Sequence, residues 1–252
     1  MGAAVRAIRD TPEVTIVIPV FNEREILETS VTQLCTALRE RGWAFEIVLA
    51  ENGSTDGTAA LGEALREAWP EVSLFSHPEP NYGGALRQGI FRARGRFVIC
   101  EEIDLCDVDF HERALALLRD GTADMVIGSK AMRGAHDTRP LGRRVATRVY
   151  NGALRLAVGF RGTDTHGLKA FVRERLVPVV GACVVEHDVF ASELVVRAHR
   201  AGLRVLEIPV EIAEKRAPSI RLIRRVPKVL RHLVRLMVAI HGPAAKRTAD
   251  AP

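Results

Sequence analysis

The chain has 252 residues, of which 47% are hydrophobic and 27% charged, and this composition excludes disordered, collagen-like and disulfide-scaffold proteins. Its formal charge of +5 is unevenly distributed, because the segment 215–247 holds ten Lys and Arg and no Asp or Glu. That segment leaves 26 of the 36 basic side chains to balance 31 acidic ones. We therefore expect a mildly acidic folded body and a strongly basic C-terminal segment.

Apolar runs rich in β-branched residues alternate with helical patterns along the first half of the chain. Strands are predicted over residues 14–19, 45–50, 72–76, 97–100 and 124–128, and helices over 22–39, 55–69, 83–94 and about 110–118. Strands that are apolar throughout and alternate with helices are typical of a parallel sheet covered on both faces. Ligands of such sheets bind at the carboxyl ends of the strands.

Polar and acidic residues follow four of these strands, in the segments 19–23, 51–57, 101–104 and 128–130. Taken singly, Asn22 and Asp56 are explained equally well as helix caps, and Gly53 and Gly57 as residues of tight turns. Because all four segments converge on one edge of the predicted sheet, a binding site is the better interpretation.

The sequence disfavours two common ways of holding a nucleotide. It has no GxGxxG after the first strand and no GxxxxGK[ST], which dinucleotide oxidoreductases and P-loop NTPases need where phosphate meets a helix. A divalent cation held by carboxylates is the alternative. Glu102 and Asp104 are separated by one residue in an extended segment, so both point to the same side and offer hard oxygen ligands.

Seven segments, in order, carry a resemblance to a known family. They are IPVFNE (18–23), ENGSTDGT (51–58), NYG (81–83) with Gly89, Ala93 and Gly95, EIDL (102–105), GSK (128–130), DTHGLK (164–169) and FASEL (190–194). The chain from about residue 14 to at least 210 resembles a family 2 glycosyltransferase with the GT-A fold. The similarity is greatest to the branch that transfers mannose or glucose to polyprenyl (dolichyl) phosphate.

The resemblance implies an α/β fold with a mostly parallel sheet and helices on both faces, to which the pattern of the C-terminal segment adds an amphipathic helix. It divides the chain into an N-terminal tail (1–12), a GT-A domain (13–213), a basic loop with the amphipathic helix (214–242) and a disordered tail (243–252).

The same resemblance implies a role for individual residues. The nucleotide pocket would be lined by Pro19, Phe21, Glu23, Ala50, Glu51 and Asn52, with Asp56 bracing its loop. Glu102 and Asp104 match the DxD motif that binds Mg²⁺ or Mn²⁺ on the donor diphosphate, with Ile103 behind the ribose. The basic residues that would face the donor phosphates or sugar are Lys130, Arg216 and Arg221.

Two departures from the family pattern lie in the acidic segment. Glu102 replaces the first aspartate of DxD, so the ligating side chain is longer by one methylene. Cys106 stands where relatives often have Gln or another polar group near the metal, and Asp107 is the expected substitute.

The basic C-terminal segment predicts an amphipathic helix beyond residue 221, with Pro227 in a first turn. Two interpretations stay open: the apolar face packs on the sheet while the arginines are solvated, or the helix lies on anionic lipid. Nucleic acid is disfavoured, because no aromatic platform accompanies the basic residues. A second helix with several arginines, over 143–158, adjoins the acceptor site in this family.

These observations predict an inverting glycosyltransferase that moves a hexose from a GDP- or UDP-sugar to polyprenyl phosphate. We expect no membrane-spanning segment and a cytoplasmic, peripheral location; the sequence specifies neither the hexose nor the oligomeric state. One alternative keeps the donor but uses a hydroxyl acceptor, which needs a general base, with Asp188 and Glu193 as candidates. The other is a non-catalytic protein that binds sugar nucleotide or lipid.

Overall fold

Short apolar segments form the strands of the central sheet. The computed structural model describes residues 11–132, 135–137, 141–160, 162–165, 167–186, 189–212 and 226–241. The strands are β1 (Val14–Val20), β2 (Phe45–Glu51), β3 (Val72–Ser76), β4 (Phe97–Cys100), β5 (Met125–Ser129), β6 (His136–Asp137), β7 (Lys169–Val172), β8 (Val205–Pro209) and β9 (Glu211–Ile212). The predicted strands 14–19, 45–50 and 124–128 are therefore correct to within one residue at each end.

Eight helices lie within the described part of the chain. They are α1 (Arg24–Glu40), α2 (Thr58–Ala68), α3 (Tyr82–Arg92), α4 (Val108–Arg119), α5 (Leu141–Val158), α6 (Arg173–Ala182), α7 (Phe190–Arg200) and α8 (Val226–His241). Pro227 is the second residue of α8, as predicted, where its missing N–H costs no helical hydrogen bond. The helix predicted over 55–69 begins three residues later, because Gly57 precedes it with φ +94°.

The seven-stranded sheet has the order β3-β2-β1-β4-β7-β5-β8. Strand β7 is antiparallel to both β4 and β5, so β5 runs in the same direction as β4. The carboxyl ends of β1 to β5 consequently meet at one edge. The order changes direction between β1 and β4, and ligands of doubly wound sheets bind at such a switch point.

Helices cover both faces of this sheet, as the continuous apolar strands predicted. Buried side chains of α1, α2 and α4 form one core with the sheet, and those of α3 and of α5 to α8 form the other. Helix α3 approaches β1 so closely that a Cβ at Gly89 would overlap Val17. Such close approach explains the glycine at this helical position.

The apolar run over residues 204–211 predicts a single strand, but the structure divides this segment. It is two strands, of which β8 continues the main sheet and β9 pairs with β6 in a separate two-stranded sheet. Val210 lies between them and is buried in the core. The chain leaves the main sheet after Pro209, whose nitrogen carries no hydrogen for the ladder.

Candidate active site

Two loops at the carboxyl ends of β1 and β2 are joined by backbone-to-side-chain hydrogen bonds. The Asn22 amide donates to Ser54 Oγ at 2.9 Å, and the Thr55 amide donates to Asn22 Oδ1 at 2.9 Å. Asn22 has φ +54°, a left-handed conformation that asparagine tolerates better than most residues. The helix-cap interpretation of Asn22 is wrong, since Glu23 is the N-cap of α1 and the Asn22 side chain serves the neighbouring loop.

Asp56 joins the same two loops. Its Oδ2 accepts from the amide of Arg24, the first residue of α1, and its Oδ1 accepts from the amide and hydroxyl of Thr58, the first residue of α2. The hydrogen bond from the Thr58 hydroxyl is the main cause that lowers the pKa of the Asp56 carboxyl. One carboxylate thus satisfies the amino ends of two helices and fixes the spacing of the loops between them.

The residues predicted to line the nucleotide pocket lie around these loops. Pro19 pairs with Ala50 across the β1–β2 ladder, and the next pair brings Val20 opposite Glu51. Glu51 is buried and its Oε1 accepts from the Ser54 amide at 2.5 Å. Ala50 is fully buried, whereas Phe21 is 42% exposed at the rim. Phe21 is therefore the member of this group with an aromatic surface open to a ligand.

Asn81, named by the family motif without a role, connects three parts of this edge. Its amide donates to Asn52 Oδ1 at 2.5 Å, and its Nδ2 donates to Glu186 Oε2 at 2.9 Å. Its own Oδ1 accepts from the Gly84 amide and caps α3. Asn52 therefore orders the loop after β3 through Asn81, and Asn81 also attaches the segment before α7 through Glu186.

The acidic segment follows β4, at the switch point of the sheet. Ile103 is buried and anchors it, Glu102 is exposed and Asp104 is half-buried. Although Glu102 has an exposed surface, loss of solvation by the surrounding protein raises the pKa of its carboxyl; Lys130 opposes this shift and Asp104 adds to it. Neither carboxylate accepts a hydrogen bond from the described residues, so both remain available as ligands.

This donor set fits a divalent cation that is shared with a diphosphate. No cluster of three or more His, Cys, Asp or Glu side chains suited to a metal exists among the described residues. Two carboxylates alone are what Mg²⁺ commonly uses when substrate phosphates and water complete its coordination. Glu102 and Asp104 would hold such an ion only together with the nucleotide.

The expectation that Asp107 substitutes for a polar metal neighbour is not supported by its contacts. Asp107 is the N-cap of α4, and its Oδ1 accepts from the Phe110 amide at 2.9 Å. The residue before it, Cys106, has φ +47°, and its thiol donates to the Ile103 carbonyl at 3.6 Å. Both residues shape the end of the acidic loop.

Two lysines lie beside the acidic segment. The Lys130 ammonium is 3.9 Å from Asp164 Oδ2, and both side chains are largely buried. Lys169, which belongs to the motif at 164–169 but was assigned no role, is buried at the first position of β7, and its Nζ donates to the Gly167 carbonyl at 2.6 Å. Burial lowers the pKa of this ammonium, and the Asp164 and Glu102 carboxylates oppose the shift. Lys130, just after β5, and Lys169, at the start of β7, therefore both place positive charge near the Glu102 carboxyl.

Glu207 of β8 anchors the loop that carries Asp164. Glu207 accepts from the Thr163 amide at 2.7 Å and from the Thr163 hydroxyl at 2.5 Å. The Thr163 hydroxyl also contacts Ser129 Oγ at 2.7 Å, which ties the loop to the end of β5. These hydrogen bonds fix the position of the Asp164 loop relative to the end of β5, which Lys130 follows.

Comparison with known protein families identifies the family of the chain that carries this site. Residues 15–177, more than half of the chain, match the family model described as glycosyl transferase family 2. The chain belongs to glycosyltransferase family 2. The family predicted from the seven motifs is confirmed.

Curated relatives of this glycosyltransferase include enzymes named for lipid-phosphate acceptors. Glycosyltransferase AglD of Haloferax volcanii is 32% identical over 219 residues, which are 85% of this chain and 35% of that protein. Dolichyl-phosphate beta-glucosyltransferase ALG5A of Trichomonas vaginalis is 25% identical over 78% of this chain and 64% of its own length. Polyprenol monophosphomannose synthase of Mycolicibacterium smegmatis is 29% identical over 85% and 82%. The chain thus spans about a third of the first relative and somewhat less than two thirds of the second.

Solved structures of sugar-nucleotide enzymes share the fold. Glucosyl-3-phosphoglycerate synthase from Mycobacterium tuberculosis, in complex with Mn²⁺, UDP and glucosyl-3-phosphoglycerate, has a TM-score of 0.63 at 19% identity over 92% of this chain and 81% of that one. Mannosyltransferase PcManGT from Pyrobaculum calidifontis, in complex with GDP-Man and Mn²⁺, has a TM-score of 0.55 at 20% identity over 96% and 76%. The predicted GT-A fold of this glycosyltransferase is confirmed.

Within the described residues, both carboxylate oxygens of Glu193 are occupied by hydrogen bonds, which does not suit a general base. Glu193 is fully buried in α7, where its Oε2 accepts from the amides of Val184 and Val185 at 3.0 and 2.6 Å. Its Oε1 accepts from Arg197 Nε at 2.7 Å, and Arg197 also donates to the Ala239 carbonyl of α8. The contacts of Glu193 are those of a residue that anchors the segment before α7 and the end of α8.

Three predicted residues of the glycosyltransferase lie outside the described residues. They are Asp188, Arg216 and Arg221. Their roles stay predictions from the resemblance. Among the helices that the structure does describe, none is long and apolar enough to cross a bilayer.

Proposed function

We propose that this glycosyltransferase moves a hexose, with inversion, from a GDP- or UDP-sugar to a polyprenyl phosphate presented at a membrane surface. Two kinds of observation support the proposal. The edge of the sheet carries the acidic pair and two lysines beside it, and curated relatives named for polyprenyl- or dolichyl-phosphate transfer align over most of the chain.

The donor half of the proposal rests on charge. A nucleoside diphosphate leaves as an anion, and its developing charge must be neutralised in the transition state. Glu102 and Asp104 would hold Mg²⁺ or Mn²⁺ against the diphosphate, which supplies that neutralisation. Lys130, held opposite Asp164, adds a protein cation on the same side.

The observation that carries the acceptor half is an exposed apolar stripe on α5. Its aliphatic side chains are Leu141, Val145, Val149 and Leu156. Their spacing confines them to about a quarter of the helix circumference, and Leu156 is 92% exposed. Arginines follow along one flank of the stripe, at Arg144, Arg148 and Arg155.

Helix α8 repeats this arrangement beside α5, against which it packs. Leu236, Ala239 and Ile240 face the core. Its exposed aliphatic side chains are Val234, Met237 and Val238, and its exposed arginines are Arg231 and Arg235. Exposed apolar surface beside arginines is typical of helices that lie at a lipid interface, where the side chains enter the headgroup region and the cations pair with phosphates. The buried face of α8 fits the packing interpretation, and its exposed apolar and arginine side chains support the lipid interpretation.

A phosphate acceptor also suits the lack of a free base at Glu193. The phosphate oxygen of a lipid monophosphate is already anionic near neutral pH and attacks without a proton acceptor. A hydroxyl acceptor needs a carboxylate within hydrogen-bond reach, and Glu193 is committed to Val184, Val185 and Arg197.

The proposal is tested by incubating the protein with radiolabelled UDP-Glc, UDP-Gal and GDP-Man, Mn²⁺ or Mg²⁺, and polyprenyl phosphate in phospholipid vesicles. We expect one donor to give a product that partitions into organic solvent and releases its sugar in mild acid. Glu102→Ala and Asp104→Ala should each abolish it. Label found only in a water-soluble glycoside would reject the lipid acceptor, and no transfer from any sugar nucleotide to any acceptor would favour the non-catalytic alternative.

The interfacial stripe has its own test. Val149→Asp and Leu156→Asp should lower the rate on vesicle-borne polyprenyl phosphate while leaving the rate on a short, water-soluble prenyl phosphate unchanged. Phe91→Asp is the matched control, because Phe91 is also exposed but lies on α3. Equal losses on both acceptors, or the same loss in the control, would refute the lipid role of α5.

A further inference from the structure

Glu101, the residue before the acidic pair, is completely buried and reaches both ends of the acidic loop. Its Oε1 accepts from the Glu102 amide at 2.9 Å, and its Oε2 accepts from the Asp107 amide at 3.2 Å. One carboxylate therefore closes the segment that contains Glu102 and Asp104 into a ring of fixed size.

His111 of α4 anchors this carboxylate to a helix. Its Nε2 lies 2.6 Å from Glu101 Oε2, and its side chain is as completely buried as that of Glu101. The His111 amide donates to the Asp107 carbonyl, so the imidazole is fixed to the first turn of α4. The chain thus places two buried polar side chains directly behind the acidic loop, where an apolar pair would fill the same space with no cost of burying polar groups.

The loop itself needs such support. Cys106 is held at φ +47°, a left-handed conformation that is strained for a non-glycine residue and persists only where the surrounding structure enforces it. The Glu101 carboxylate bonds the residues at each end of the strained segment. Without that bond, we expect Glu102 and Asp104 to sample arrangements that do not converge on one cation.

We propose that Glu101 and His111 are positioning residues for the donor metal: they hold the carboxylates of Glu102 and Asp104 in the arrangement that binds a divalent cation together with the nucleotide diphosphate. The inference rests on the proposed donor function. A purely structural role would weaken nucleotide binding with and without metal. A positioning role predicts a specific loss of the coupling between metal and nucleotide, that is, of the gain in nucleotide affinity that Mn²⁺ produces.

The test is the binding of UDP and GDP by calorimetry, in saturating Mn²⁺ and in EDTA, on the full chain. The ratio of the two dissociation constants measures the coupling. Removing a partner of a metal ligand typically weakens metal binding by about 10–100-fold. Glu101→Gln replaces one carboxylate oxygen by an NH₂ group, so the amide of either Glu102 or Asp107 loses its acceptor. We expect the dissociation constant in Mn²⁺ to rise by at least about tenfold, while that in EDTA changes little.

Glu46→Gln is the matched control. Glu46 is also a buried carboxylate that accepts from a hydroxyl, Thr15 Oγ1, and from a backbone amide, that of Arg94, but it lies at the amino end of β2. Its coupling should equal that of the wild type. Should Glu101→Gln fail to fold, His111 supplies a second pair: His111→Gln retains an N–H donor toward Glu101 and should retain the coupling, whereas His111→Phe should lose it.

The outcomes separate the hypotheses. Loss of coupling in Glu101→Gln or His111→Phe, with the control and His111→Gln unaffected, supports the positioning role. Equal weakening in Mn²⁺ and EDTA, or an unchanged ratio in a folded variant, would overturn it. A wild-type protein that binds nucleotide with no dependence on Mn²⁺ would overturn the proposed donor function, and this inference with it.

Discussion

Substitution of Glu193 tests whether its carboxylate anchors the fold or acts as a general base. Glu193→Gln keeps the shape of the side chain but replaces one acceptor oxygen by an NH₂ group. That group must face either the amides of Val184 and Val185 or the guanidinium of Arg197, all of which are donors. In either orientation a buried donor loses its acceptor.

The magnitude follows from the contacts that are lost. A hydrogen bond to a charged group contributes about 1.5–3 kcal/mol, and a buried charge without its partner costs about 3–5 kcal/mol. Arg197 keeps its bond to the Ala239 carbonyl, which moderates the second figure. We expect the free energy of unfolding to fall by about 3 kcal/mol, which lowers the melting temperature by about 6–12 °C for a chain of this size.

Urea unfolding followed by circular dichroism measures the loss of stability, and turnover is compared at a temperature where both proteins are folded. If Glu193 only anchors its segment, turnover should fall by less than about tenfold. A general base contributes about 10²–10⁴-fold. A variant as stable as the wild type but at least a hundredfold slower would refute our reasoning and restore Glu193 as the base. The double variant with Arg197→Met should lose less stability than the sum of the single ones, because the two side chains bind each other.

Three further substitutions test other parts of the frame. Gly167→Ala would place a methyl group on the Gly128 carbonyl oxygen, so we expect urea unfolding to show a loss of about 1–3 kcal/mol; an unchanged midpoint would contradict this. Arg204→Leu removes the hydrogen-bond partner that lowers the pKa of Asp124 from 3.8 to about 2. A lowered carboxyl pKa stabilises the folded state above pH 3.8, so the difference in melting temperature from the wild type should be full at pH 7 and disappear as the pH falls toward about 2. Asp56→Ala frees the first amides of α1 and α2, and calorimetry should show weaker nucleotide binding in Mn²⁺ and in EDTA alike.

Local patterns predicted the strands of the first half well, because β1, β2, β4 and β5 are mostly apolar and almost wholly buried. Strand β7 was not predicted: it has four residues, and its antiparallel direction depends on pairing with β4 and β5, which lie far away in sequence. The division of residues 204–211 between two sheets escaped prediction for the same reason. A single apolar run carries no information on which partner each half will find.

The sequence predicted which loops form the site, but it predicted less well which side chains in them are hydrogen-bonded to one another. The segments 19–23, 51–57, 101–104 and 128–130 do meet at one edge, because the parallel strands that precede them end there. The sequence could not show that Glu101 faces His111, or that Asn81 bonds Asn52 and Glu186, since those pairs are set by how helices and loops pack. A doubled acidic residue after a buried strand was the one available signal for Glu101.

Burial and bonding divide the carboxylates of this edge into two chemical classes that a sequence motif treats as one. Glu101, Glu193 and Glu207 each accept from backbone amides of a loop and hold that loop in place. Glu102 and Asp104 accept no hydrogen bond from the described residues; Glu102 is exposed and Asp104 is half-buried. A carboxylate that binds backbone amides is stabilised as an anion without a metal, whereas one that lacks donors gains most from a cation. The requirement for Mg²⁺ or Mn²⁺ should therefore follow Glu102 and Asp104, while substitution of Glu193 or Glu207 should first lower stability.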